Sequence, residues 1–114
     1  MTNFGNLPHE KLIAYQEARK LLAAVREACI GESHLRDQAL RAATSVCLNI
    51  SEGAGRASPA DKARVFAIAR GEASEAAAAV HVASLSGLCA VEYAERVRKI
   101  AARTVALLSG LIRR

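Results

Sequence analysis

Apolar positions recur at steps of three and four in four separate stretches of the chain, the period of a helix with one buried face. In the first stretch the stripe is Leu12, Tyr15, Ala18, Leu22, Val25 and Cys29, with Pro8 suited to its start and Gly31 to its exit. Ser33 can cap the second, in which Leu35, Ala39, Ala42, Val46 and Ile50 follow, and Gly53 and Gly55 end it. The third start is the best marked: Ser58 offers a capping oxygen, Pro59 fits the first turn, and Asp61 suits the positive end of the helix dipole. Phe66, Ala69, Ala73, Ala76, Val80 and Ala83 then share one face, with Gly87 as the stop. The fourth stretch carries Tyr93, Val97, Ile100, Thr104, Leu107 and Leu111. Short connections make successive helices antiparallel. No stretch alternates apolar and polar residues as a strand would. The pattern predicts an all-α, antiparallel up-down-up-down four-helix bundle, one domain over 1–114.

Two helices carry more apolar surface than one bundle needs. On the third, Ala67, Ile68, Ala78, Ala79, Val82 and Leu85 lie off the main stripe. On the fourth, Ala94, Ala101, Val105, Leu108 and Ile112 form a second apolar face. A surface helix keeps its far side polar, so these faces predict burial against other copies of the chain, with Val105, Leu108 and Ile112 at the interface.

Composition sharpens this picture. Alanine, the best helix former, occurs 25 times in 114 residues, and aromatics make up only 4%. The core must therefore come from close approach of slim helices. A chain of this length buries roughly two-thirds of the surface it exposes when unfolded, enough for one core. Cys29, Cys47 and Cys89 are odd in number and widely spaced, and the start "MTNFGNLPHEK" lacks the apolar run of a secretory signal. Reduced thiols in the cytoplasm are the expectation. The stretch "AAAAVHVASLSGLCAV", free of formal charge, is too short and interrupted to span a bilayer, so no membrane is expected as a partner.

The chemistry-bearing candidates are few. "LNISEGAGRASPAD", residues 48–61, crowds Asn49, Glu52, Gly53, Gly55 and Arg56 into one break. A phosphate-binding loop would need Lys and Ser or Thr after its last glycine, following a strand. Here Arg56 follows Gly55 and a helix precedes. A corner explains the residues better: glycine closes one helix in the left-handed conformation, and Ser58 opens the next. Di-iron sites in bundles use Glu-x-x-His, but the residues three before His9, His34 and His81 are Asn6, Gly31 and Ala78. The cysteines lack zinc spacing. No metal and no cofactor is expected. Nothing sets Cys47 or Cys89 beside a base, and the carboxylates Glu72 and Glu75 read as a solvated face. The expectation is a protein that is not an enzyme.

The residues also carry a resemblance. "LRDQALRAATSVCLNISEGAGR" followed by "FAIARGEASE" resembles the signature of the S23 family, named for reading frames within intervening sequences of bacterial 23S ribosomal RNA genes. Gln38, Arg41, Ala42, Ser45, Asn49, Ile50, Glu52, Gly53 and Arg56 match, as do Phe66, Ala69, Arg70, Gly71 and Glu75. Tyr15 stands where the family usually has Trp, and Glu72 where it usually has Ser. The resemblance spans about Leu7 to Leu111. It implies a small antiparallel bundle that closes into a ring, pentameric in known members. Relatives include the accessory protein of diversity-generating retroelements, which engages a reverse transcriptase and nucleic acid.

Sixteen Lys and Arg against eleven Asp and Glu give a net charge of +5, a lean toward acidic partners. On the fourth helix Arg96, Lys99, Arg103 and Arg114 fall on one side, about 60–80° from the core stripe at a hundred degrees per residue. These residues are the candidate contacts to RNA or DNA. With almost no aromatics to stack bases, binding would run through phosphates and read little sequence. The alternative is that the charges only solvate a scaffold whose ligand is a protein.

Overall fold

The computed structural model describes residues 6–114. A 3-10 turn over Pro8–Lys11 precedes four helices: α1 (Ile13–Glu27), α2 (Ser33–Ala54), α3 (Pro59–Leu85) and α4 (Val91–Ile112). No strand occurs among the described residues. Contacts between neighbours pair residues in opposite chain order. Gly53 meets Phe66 at one end of α2 and α3, and Gln38 and Arg41 meet Glu72 and Glu75 toward the other. Glu17 pairs with Arg103 and Glu27 with Arg96 across α1 and α4. α2 with α3 and α1 with α4 therefore run antiparallel, around one shared core.

Alanine sets the core's character. Ala18, Ala39, Ala43, Ala69, Ala73, Ala76 and Ala83 are fully buried beside Leu21, Val46, Ile50, Val80, Val97 and Leu108. This matches the stripes expected on α2 and α3. On α1 and α4 the inward face is turned by one residue from expectation. The buried positions of α1 are Ala14, Glu17, Ala18, Leu21, Ala24 and Val25, while Leu12, Tyr15 and Leu22 flank the core and Cys29 is exposed. On α4 they are Ala94, Val97, Ala101, Thr104 and Leu108, while Tyr93 is exposed. The cause is geometric: small residues on the contact line let the backbones close up, and larger ones splay to the sides. Leu108, expected between chains, is thus a core residue of the single chain. Val105 and Ile112 are half-buried against that core.

The helix ends correct further expectations. Pro8 opens the 3-10 turn rather than α1, whose N-cap is Leu12. The cap of α2 is Glu32, not Ser33; its carboxylate accepts from the amides of His34 and Leu35. No glycine turns left-handed after α2: Gly53 lies inside the helix, and Gly55 has φ −87°. Gly53 is required by proximity instead, because a Cβ there would sit 2.8 Å from two carbons of the Phe66 ring. After α1 the left-handed residue is Cys29, with φ 48°. Two expectations hold as written. The Ser58 hydroxyl accepts from the Asp61 amide at 3.1 Å with Pro59 at the first helical position. Gly87, φ 74°, ends α3: its amide donates to the Ser84 carbonyl, and Leu88 donates to Ala83. The turn after α1 also reaches the turn after α3, through the Gly31 amide donating to the Leu88 carbonyl at 2.9 Å.

Candidate nucleic-acid interface and assembly surface

The basic residues of α4 do not form one free stripe. Arg103 Nε stands 2.7 Å from Glu17 Oε1, and Arg96 Nη1 stands 3.1 Å from Glu27 Oε2. Glu17 is the one buried carboxylate of the core, with its side chain 7% exposed. Its second oxygen, 3.7 Å from Lys20 Nζ, has no hydrogen-bond partner. A carboxylate this buried tolerates loss of its partner badly, so Arg103 is held in place. The Arg96 pair is half in water on both sides and correspondingly weak. Lys99 falls between the two pairs and is exposed. Arg114 is set apart, about 16 Å along the helix from Arg103. It lines grooves at the end of the bundle with Leu12 and Leu111. The sequence signal for Arg103 and Arg96 was their spacing on α4. Nothing local could reveal Glu17 and Glu27 opposite them.

The matched motif residues gather along the α2–α3 contact. Gln38, Arg41, Glu72 and Glu75 line a polar groove of about 410 Å³ with His34 and Asp37. Burial pushes the Glu72 carboxyl above its ordinary value, and a hydrogen bond with Glu75 adds to this, partly offset by one from Ser45. Glu72 is half-buried in this groove and Glu75 is exposed. Asn49 Nδ2 donates to the Ser45 carbonyl and hydroxyl, both at 2.9 Å. Arg56 pairs with Glu52 and, at 3.3 Å, with Asp61, so it joins the end of α2 to the start of α3. Lys62 Nζ donates to the Ala54 carbonyl at 2.8 Å and satisfies one of the last carbonyls of α2. Of the break expected at 48–61, residues 48–54 continue α2 and residues 59–61 open α3, so the inter-helix corner is residues 55–58. Arg70 Nη1 reaches Ser109 Oγ at 3.2 Å and ties α3 to α4.

On the outer side of α3, Ile68, Gly71, Glu75, Ala78, Val82 and Leu85 follow one another at alternating steps of three and four. All six are exposed, Ile68 at 46%, Val82 at 47% and Leu85 at 75%. A Cβ on Gly71 would meet nothing within 4 Å. Of the second apolar faces expected from sequence, that of α3 stays open, apart from the buried Ala79 and half-buried Ala67, and that of α4 is largely taken up by the subunit's own core.

Burial raises the Cys47 and Cys89 thiols above their ordinary value, which disfavours the thiolate form. No three His, Cys, Asp or Glu among the described residues are grouped to hold a metal ion. No described helix is long and apolar enough to cross a membrane.

The family model of the 23S rRNA-intervening sequence protein matches residues 10–110. No curated protein matches the chain.

Proposed function

The chain belongs to the 23S rRNA-intervening sequence protein family, and on that footing we propose that it is a non-catalytic, self-assembling bundle protein that contacts nucleic-acid backbones. The observation that carries assembly is the exposed seam on α3. A helix apolar on more than one side needs more than one partner, and alternating steps of three and four are the spacing by which helices interlock. Gly71 fits this reading. A glycine within an exposed helix costs about 1 kcal/mol relative to alanine, and an approaching neighbour gives the missing Cβ a use. Closed rotational symmetry, in a ring of five as the family resemblance implies, covers every copy's seam without growing into a filament. Light scattering at micromolar concentration should give a whole-number multiple of 12.1 kDa, and Val82→Asp or Leu85→Glu should return it to one chain with its helix content kept. A monomer in the unaltered protein overturns the proposal.

Nucleic-acid contact rests on the excess of basic over acidic residues and on Lys99, exposed between its two paired neighbours. Repetition around a ring turns weak contacts into useful ones through effective concentration. Binding to RNA and DNA of mixed sequence should fall steeply as salt rises, and charge reversal at Arg96, Lys99 and Arg103 should flatten that dependence with assembly intact. Absence of binding at low salt leaves the second reading, a scaffold for a partner protein such as a reverse transcriptase.

A further inference from the structure

We infer that α1 regulates the basic surface of α4: Glu17 withholds Arg103 from phosphates, and Glu27 withholds Arg96 more weakly. The inference rests on the nucleic-acid reading above. It starts from a contrast between two ion pairs on the same pair of helices. Glu17 is buried, so its carboxylate cannot turn to water when Arg103 leaves, whereas Glu27 is half exposed and can. A phosphate competing for Arg103 would leave the buried Glu17 carboxylate with only the exposed Lys20 ammonium, 3.7 Å from its second oxygen, which makes no hydrogen bond. Competition for Arg96 carries no such penalty. Glu17 offsets the Arg103 charge, so fewer counterions condense there to be released. Of the three cations at successive turns, Lys99 is the one available without rearrangement, Arg96 is available at small cost, and Arg103 is withheld. Any event that removes the Glu17 charge or shifts α1 away from α4 would add a phosphate contact at Arg103.

The test is the salt dependence of binding to a labelled 20-base-pair DNA of mixed sequence, with the assembled protein. Glu17→Gln should steepen the slope of log affinity against log salt by about 0.9, the value of one further neutralised phosphate. Between 50 and 200 mM salt that is roughly a 3.5-fold larger loss of affinity. Glu27→Gln, on the exposed pair, should give a smaller change and serves if Glu17→Gln does not fold. The double variant Glu17→Gln/Arg103→Gln should bind like the unaltered protein, since it removes a residue that was not in use. If Glu17→Gln leaves the slope unchanged and the double variant falls below the unaltered protein, Arg103 already contacts phosphate and the inference is wrong while nucleic-acid binding stands. If no form binds at low salt, nucleic-acid binding fails and the inference with it.

Discussion

The α2–α3 pair and the α1–α4 pair join helices of similar slimness by opposite means. Between α2 and α3 the specific contacts are local and redundant. Arg56, Lys62 and Asp61 close the corner, and Phe66 fills the space above Gly53. Between α1 and α4 two ion pairs stand among the described residues, and one of them ends in a buried carboxylate. Many small contacts hold the first pair, so any one charge there is dispensable. The second pair depends on Arg103. Steric fit should thus dominate substitutions on one side of the molecule, and charge on the other.

The largest effect should come from breaking the steric side. Gly53→Val sets a branched side chain against the Phe66 ring, where even a Cβ stands at 2.8 Å. Overpacking of this kind costs typically 1–3 kcal/mol or more, and a fall of about 3 kcal/mol in urea unfolding is expected. Phe66→Leu in the same chain should recover part of it. Full stability in Gly53→Val would mean that the ring moves freely and that the pair is not held by fit.

On the electrostatic side, Arg103→Ala should cost about 2 kcal/mol. This is below the 3–5 kcal/mol typical of a half-broken buried pair, since Arg103 is 61% exposed and its contribution is screened. Glu17→Gln/Arg103→Ala should be less damaging than Arg103→Ala alone. A double variant that is worse than the single would show that packing of the arginine stem, not charge, joins these helices.

The smallest effect tests whether any charge matters on the α2–α3 side. The Glu72 carboxyl is raised in the folded state, chiefly by burial and then by Glu75. Such a group contributes stability that is complete below the ordinary glutamate range and is lost as pH rises through the raised folded value. At neutral pH that contribution is gone. Glu72→Gln should therefore lower the gain in melting temperature on acidifying from neutral pH relative to the unaltered protein, and leave the neutral value equal or slightly higher. The groups facing it are His34, Asp37, Arg41 and Glu75. An unchanged pH profile would remove Glu72 from the account.

The helices of the fold were legible because each announces itself locally, by a stripe at steps of three and four and by ends such as Ser58-Pro59 and Gly87. The rotation of α1 and α4 was not. In these helices Leu12, Leu22 and Tyr93 dominate a sequence reading, yet the core takes neighbouring positions, small at Ala14 and Ala94 and large at Leu21. The seam on α3 was legible as excess apolar surface. Its counterpart on α4 was not excess at all, because Ala94, Ala101 and Leu108 are the core face. The candidate cations were visible one helix at a time. Their carboxylate partners come from the first helix, across the whole chain, and no local spacing encodes such a meeting.

The hydrogen bond from Gly31 to Leu88 gives the two turns at one end of the bundle a common fate. As a matter of connectivity, α1–α2 and α3–α4 are two hairpins, each of which could in principle be made or lost alone. A shared backbone bond between their bends removes that independence at one end, while the α2–α3 corner links them covalently at the other. The hairpins are clasped at both extremities, like a strap buckled at each end. A swapped dimer that exchanges a whole hairpin must undo the buckle formed by Gly31 before the chains can trade places, and the bundle is to that extent committed to pairing with itself.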